Sequence, residues 1–130
     1  MPSGPDDLLE RLMHRDVVSA DPGATLRELA EIMYGEEVGS VVITEAGRVV
    51  GIVTQRDIVI ALANGEDPDD VPAGDVMSEE PMCADVADSV RFTAERLAQA
   101  GVLHVPVLQD GRPVGMVSGR DLLMALTGPS

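Results

Sequence analysis

The chain has 130 residues, 45% of them hydrophobic, a formal net charge of −14 and only two aromatic side chains, Tyr34 and Phe92. That length suits one compact domain or two small fused units, and that composition supplies a core of Val, Leu, Ile, Met and Ala rather than a disordered chain. The charge argues against nucleic acid and anionic membranes as partners, and the missing aromatics argue against a stacking platform for single strands.

Asp6 to Met13, with Leu8, Leu9 and Leu12 apolar, predicts a short helix, and Val17 and Val18 a brief extended piece. Thr25-Leu26-Arg27-Glu28 has the form of a capping box. The helix it opens carries Leu26, Leu29, Ala30, Ile32 and Met33 on one stripe, with Gly35 as the expected stop. Ser40 to Thr44 is apolar without alternation, the pattern of a strand buried on both faces. Glu45 to Arg48 is a turn, Val49 to Thr54 the returning strand of a hairpin, and Gln55 to Ala63 a helix. Residues 64–72 combine turn residues with dense acid and predict a short linker. The plan then repeats: a short helix from Ala73 to Ser78, an extended piece from Met82 to Ala84, and a helix from Ser89 to Ala100. Strands follow at His104 to Leu108 and Pro113 to Ser118, then a last helix to about Leu126.

The two halves align at a constant shift of 64 residues. It carries Thr54 to Ser118, Asp57 to Asp121, Gly47-Arg48 to Gly111-Arg112, Val41 to Val105, Thr25 to Ser89, Asp21 to Asp85 and Met13 to Met77. The expected class is therefore α/β (α+β), with two β-α-β-β-α units at 1–63 and 73–130 joined by the acidic linker 64–72. Each unit, at about 60 residues, has little core of its own, so its twin is expected to cover it.

Gly51-Ile52-Val53-Thr54-Gln55-Arg56-Asp57 returns as Gly115-Met116-Val117-Ser118-Gly119-Arg120-Asp121, each at a strand-to-helix junction. In both copies the hydroxyl and the acid have the spacing of a helix cap, which explains them without a ligand. The same geometry suits a phosphate, because a helix N-terminus offers N–H groups and partial positive charge. Arg56 and Arg120 stand beside it, either reaching phosphate or solvated. A few local arginines can hold a small anion against a distant, screened negative field.

The tandem unit with its Gly-x-x-Ser/Thr-x-x-Asp motif resembles a pair of CBS domains, the Bateman module, over nearly the whole chain. Thr54 to Ile60, followed by Asn64 to Pro68, is similar to small stand-alone bacterial CBS-pair proteins. The resemblance implies packing with pseudo-two-fold symmetry and an adenine nucleotide (AMP, ADP or ATP) in one or both clefts. The hydroxyl would lie near ribose and phosphate, and the Asp would accept from the ribose hydroxyls. It implies crosswise clefts: Ser118, Arg120 and Asp121 with Val18, Gly39 and Ser40, and Thr54, Arg56 and Asp57 with Met82, Leu103 and His104. Ile52 and Met116 are candidate floors for the base. Gly39 and Ser40 are small and leave room, whereas Leu103 and His104 are bulkier than the family often has there, which either narrows that cleft or sets His104 against phosphate. The Ser118/Asp121 cleft is the favoured one.

His14 and His104 are the only histidines and Cys83 the only cysteine, with no spacing that makes a metal site or an intrachain disulfide. Metal or disulfide bonding between subunits stays open. No nucleophile and base fall in sequence reach of each other, so no enzyme is expected. The N-terminus is polar and acidic, and no apolar run approaches a membrane span, so a cytoplasmic setting is expected. Ile58 to Leu62 and Leu122 to Leu126 are apolar almost all round, which predicts a homodimer meeting through helices. The expected function is a nucleotide-sensing regulatory module that passes its response to a downstream protein. The alternative is a stress-associated structural or interaction dimer with empty clefts.

Overall fold

The computed structural model describes residues 6–15 and 17–127, the side chains of 126 and 127 excepted. Among these residues the fold is mixed α/β, with two small sheets and five helices. Its elements are a 3-10 turn at Leu9–Arg11, then β1 (Ser19–Ala20), α1 (Leu26–Glu36), β2 (Ser40–Glu45), β3 (Arg48–Thr54) and α2 (Gln55–Ala63). There follow α3 (Ala73–Val76), β4 (Ser78–Glu79), β5 (Ala84–Asp85), α4 (Val90–Ala100), β6 (His104–Gln109), β7 (Arg112–Ser118) and α5 (Gly119–Thr127).

Two compact units result, and they do not divide the chain where the sequence repeat does. One is Val18–Pro81; the other joins the described residues before Val18 to the segment from Met82 onward. Each repeat thus sends its leading segment to the other repeat's sheet. The division into 1–63, 64–72 and 73–130 follows the repeat in sequence, not the bodies in space. Leu9 and Met13 are buried in the core of the second repeat with Val90, Leu97, Val105, Val107, Val117 and Leu122. Ala73, which stands 64 residues after Leu9, is buried in the core of the first with Leu26, Leu29, Met33, Val41, Ile43, Val53, Ile58 and Ala61. A 60-residue repeat cannot fill its own core, and the exchange adds the missing apolar side chains.

In the Val18–Pro81 unit the sheet order is β1-β2-β3-β4. β1 and β2 are parallel, with α1 as the crossover, and β2 and β3 form an antiparallel hairpin. Ala46 (φ 53°) and Gly47 (φ 80°) make its two-residue turn, as Asp110 (φ 54°) and Gly111 (φ 81°) do between β6 and β7. Two consecutive positive φ values match the turn twist to the strand twist. Ser40, Val41, Val42 and Ile43 are all buried, as the absence of alternation predicts. The other sheet has the order β5-β6-β7, with a bridge between His14 and Met116 where the first sheet has β4.

Several boundaries differ from the expectation. The first short helix is only a 3-10 turn, and the second ends at Val76 because Ser78 and Glu79 leave it to pair with Ile52 and Gly51 of β3. The extended pieces lie one to two residues later than Val17–Val18 and Met82–Ala84, where parallel pairing with β2 and β6 fixes them. α1 runs past Gly35 and is closed by Glu37, which takes the left-handed conformation (φ 56°). Residues 64–72 are not a free linker but a strap on the Val18–Pro81 unit. Its Pro68 and Val71 carbonyls accept from the Arg27 and Leu26 N–H groups at the start of α1, and the Arg27 guanidinium is paired with both oxygens of Asp69.

Candidate functional site

The two motifs are built alike. β3 and β7 end on a hydroxyl residue, and the next helix starts at once. Thr54 Oγ1 accepts from the Asp57 N–H (3.3 Å), while Asp57 Oδ2 accepts from the Thr54 N–H (2.8 Å) and hydroxyl (3.1 Å). Ser118 Oγ accepts from the Asp121 N–H (3.1 Å), and Asp121 Oδ2 from the Ser118 N–H (2.9 Å) and hydroxyl (2.8 Å). Both are reciprocal capping boxes with Asp in the usual place of Glu. Each fixes its carboxylate by one oxygen and leaves the other to be assigned.

The helix ends offer less to an anion than the sequence suggests. The Gln55 N–H donates to the Gly39 carbonyl (3.1 Å) and the Gly119 N–H to the Leu103 carbonyl (2.9 Å). With the Asp57 and Asp121 N–H groups spent on the caps, the Arg56 and Arg120 N–H groups remain of the first three in each helix. The Arg56 and Arg120 side chains are exposed.

The glycine of each motif has a packing role. A Cβ on Gly51 would stand 2.3 Å from the Met77 sulfur, and one on Gly115 would stand 2.5 Å from the Met13 sulfur. The leading segment of the other repeat lies directly on these glycines. Met13 is buried in its core and Met77 packs, partly buried, against the other, each with a specific seat that local sequence pattern does not show.

The second carboxylate oxygen separates the two motifs. Asp121 Oδ1 receives His14 Nε2 at 3.0 Å, whereas Asp57 Oδ1 takes no hydrogen bond among the described residues. Burial pushes the Asp121 carboxyl up, but hydrogen bonds from the Ser118 N–H, His14 and the Ser118 hydroxyl, with the His14 charge, hold it below its ordinary value. In the sequence His14 is one of two histidines, and no local spacing ties it to the motif. The shift of 64 that sets it against Ser78 is the signal that would have found it.

The candidate residues fall into two sets. Val18, Gly39, Ser40, Ile52, Thr54, Arg56 and Asp57 share the Val18–Pro81 unit; Met82, Leu103, His104, Met116, Ser118, Arg120 and Asp121 share the other. In the first set Ser40 pairs with Thr54, and the Val18 carbonyl accepts from the Val42 N–H. In the second His104 pairs with Ser118, while the Leu103 side chain is 71% exposed. Asp57 also lines a cavity of about 320 Å³ with Asn64, Glu66 and Asp75. Two further carboxylates make that cavity a poor place for a phosphate.

Among the described residues, Ser118 is not set against the imidazole as a nucleophile is against its base. Ser118 and His14 both bond to Asp121, so the carboxylate stands between hydroxyl and imidazole, where hydrolytic triads place the imidazole in the middle. Among the described residues no group of three or more His, Cys, Asp or Glu is disposed to hold a metal, and no helix is long and apolar enough to cross a membrane.

The CBS domain model matches residues 9–64 and again 73–128. The chain belongs to the CBS-domain family. It is 34% identical over 112 residues to protein MK0525 of Methanopyrus kandleri, covering 84% of this chain and 57% of that one, so it spans little more than half of that relative. It is 30% identical over 113 residues to hypoxic response protein 1 of Mycobacterium tuberculosis, covering 85% of this chain and 79% of the relative. Among solved structures, the CBS domain pair of protein MJ0100, in complex with 5-methylthioadenosine and S-adenosyl-L-methionine, superposes with a TM-score of 0.83 at 25% identity, over 92% of this chain and 94% of that one. Hypoxic response protein 1 with two coordinated zinc ions superposes at 0.81 and 29% identity, over 92% and 99%.

Proposed function

We propose that this CBS pair is a regulatory module that binds an adenine nucleotide (AMP, ADP, ATP or a related adenosine compound) at its Thr/Ser-x-x-Asp motifs. The observation that carries the reading is Asp57: the cap holds one carboxylate oxygen in place and leaves the other open to accept a ribose hydroxyl. Arg56 stands beside it for the phosphate. The adenosine compounds held by the MJ0100 pair support the ligand class. The module acts in the cytoplasm as a homodimer and passes its response to another protein. The dimer rests on exposed apolar helix faces: Val59 (62%), Ile60 (46%) and Leu62 (50%) on α2, and Leu123 (60%) and Met124 (58%) on α5. Whatever the whole of a longer relative does lies outside this reading.

The test is thermal denaturation with AMP, ADP, ATP and S-adenosylmethionine at millimolar concentration. A ligand at 100 times its dissociation constant adds about 2.7 kcal/mol, which raises Tm by roughly 10 °C at this size. No shift with any of them refutes the reading. One observation favours the second reading, a ligand-free structural or interaction dimer. Capping alone accounts for Thr54, Asp57, Ser118 and the inner oxygen of Asp121, and His14 accounts for the outer one. Under that reading Tm rises with protein concentration and ignores nucleotide.

A further inference from the structure

We propose that His14 is a built-in stopper on the Ser118/Asp121 motif, so that the two motifs, alike in sequence, differ in readiness for ligand. The proposal rests on the nucleotide reading above and specifies its regulation. Oδ2 of Asp121 is committed to Ser118 by two bonds, so Oδ1 is the oxygen left for a ribose hydroxyl, and the His14 imidazole already occupies it at 3.0 Å. A ligand gains that oxygen only by displacing the imidazole, whose side chain is 67% exposed and has solvent to move into.

His14 is placed there by the fold. The His14 N–H donates to the Met116 carbonyl (2.9 Å) and the Met116 N–H returns to the His14 carbonyl (2.8 Å). The preceding residue, Met13, is seated on Gly115. In the other unit the same bridge joins Ser78 to Ile52, and Met77 sits on Gly51. The backbone settings are equivalent, but Ser78 makes no bond to Asp57. The difference between an open and a stopped motif is therefore one side chain.

The experiment is calorimetric titration of the full chain with AMP. The wild type is expected to bind one AMP per chain, with binding lost in Asp57→Asn and kept in Asp121→Asn; these variants keep an acceptor for the cap. His14→Ala and His14→Ser, the latter copying the other repeat, are expected to bind a second AMP at least about tenfold more tightly than the wild type does. Asp121→Asn abolishes that second site. If His14→Ala leaves the site number and affinity unchanged while Asp57-dependent binding persists, the stopper is wrong and the nucleotide reading stands. The same holds if the wild type already fills two sites, or if His14→Ala loses binding, which would make His14 a ligand contact. If no variant binds AMP at millimolar concentration, the nucleotide reading fails and the stopper falls with it. A ligand-free readout stands apart from all of these: the His14 ring resonances must move between wild type and Asp121→Asn, and an unmoved ring overturns the contact itself.

Discussion

Alanine at Gly51 or Gly115 tests the claim that the first residue of each motif is there to seat a methionine. In Gly51→Ala the new Cβ lies 2.3, 2.7 and 3.0 Å from Sδ, Cγ and Cβ of Met77. Carbon atoms rest at about 3.5–4.0 Å. Rotating Met77 relieves the first two overlaps but not the third. In Gly115→Ala the Cβ meets Met13 at 2.5 and 2.9 Å, and also the His14 carbonyl oxygen at 3.1 Å. That carbonyl is held by the Met116 N–H and cannot turn away. Overpacking costs about 1–3 kcal/mol. Each substitution keeps one overlap that rotation does not relieve, so both belong at about 1–3 kcal/mol, or Tm losses of roughly 4–12 °C. Urea denaturation of the single variants, Met77→Ala and Gly51→Ala/Met77→Ala checks the cause. Trimming the methionine should recover at least about 1 kcal/mol of the Gly51→Ala loss as a coupling energy. Rescue in this double variant and in Gly115→Ala/Met13→Ala should be partial, because the position-77 Cβ remains in one and the His14 carbonyl in the other. A Gly51→Ala variant within about 0.5 kcal/mol of wild type, or strict additivity with Met77→Ala, would refute the reasoning.

Thr54→Ala and Ser118→Ala each remove a cap and should cost about 1 kcal/mol by urea midpoint, whether or not nucleotide is bound. Glu37→Gly should stabilise by a few tenths to about 1 kcal/mol, since glycine adopts the left-handed cap without strain and Gly101 (φ 69°) already serves at the equivalent position of the other repeat. Asp121 titrates below its ordinary value in the folded protein, so its contribution to stability is complete above an unfolded pKa of about 3.9 and is lost as pH falls through the lower folded value. Asp121→Asn should flatten that part of the acid limb of a urea-midpoint profile; an unchanged limb would refute the assignment. Arg27→Ala should raise amide exchange at positions 26 and 27 ahead of the sheet, because it frees Asp69 and with it the strap that caps α1.

The repeat was legible from a constant shift along the chain, and the capping boxes, both hairpin turns and the strand-to-helix junctions because each depends on residues close in sequence. Ala46-Gly47 and Asp110-Gly111 announce their turns by composition, and Thr54-x-x-Asp57 announces its cap by spacing. The exchange of leading segments was not legible. Local pattern shows that Leu9 and Ala73 are apolar, but not which sheet they cover. The same limit hid the seats of Met13 and Met77, which are contacts with glycines far along the chain. The favoured status of the Ser118/Asp121 motif came from residue size at Gly39-Ser40 and Leu103-His104. It took no account of His14, more than 100 residues away in sequence, on the Asp121 carboxylate. Gly35 is not the stop because composition marks only a residue able to adopt positive φ, while the helix closes at Glu37, where the Glu37 and Val38 N–H groups both donate to the Met33 carbonyl.

The two copies divide their residues into those the fold duplicates and those it lets vary. Cap hydroxyl, cap carboxylate, glycine, methionine and bridge recur at the same offsets, and each has a structural partner that explains it. These residues hold the junction whether or not ligand is present, so their presence alone cannot distinguish a sensing motif from a silent one. What differs is Ile52 against Met116 and Gln55 against Gly119 within the motif, and His14 against Ser78 and Gly39-Ser40 against Leu103-His104 beside it. Of these, His14 is the one that bonds a capping carboxylate among the described residues. A capping carboxylate can serve a ligand only with the oxygen the cap does not use. Under the proposal made above, the residue that reaches that oxygen, here His14 and in the other copy none among those described, sets which of this chain's two motifs is open.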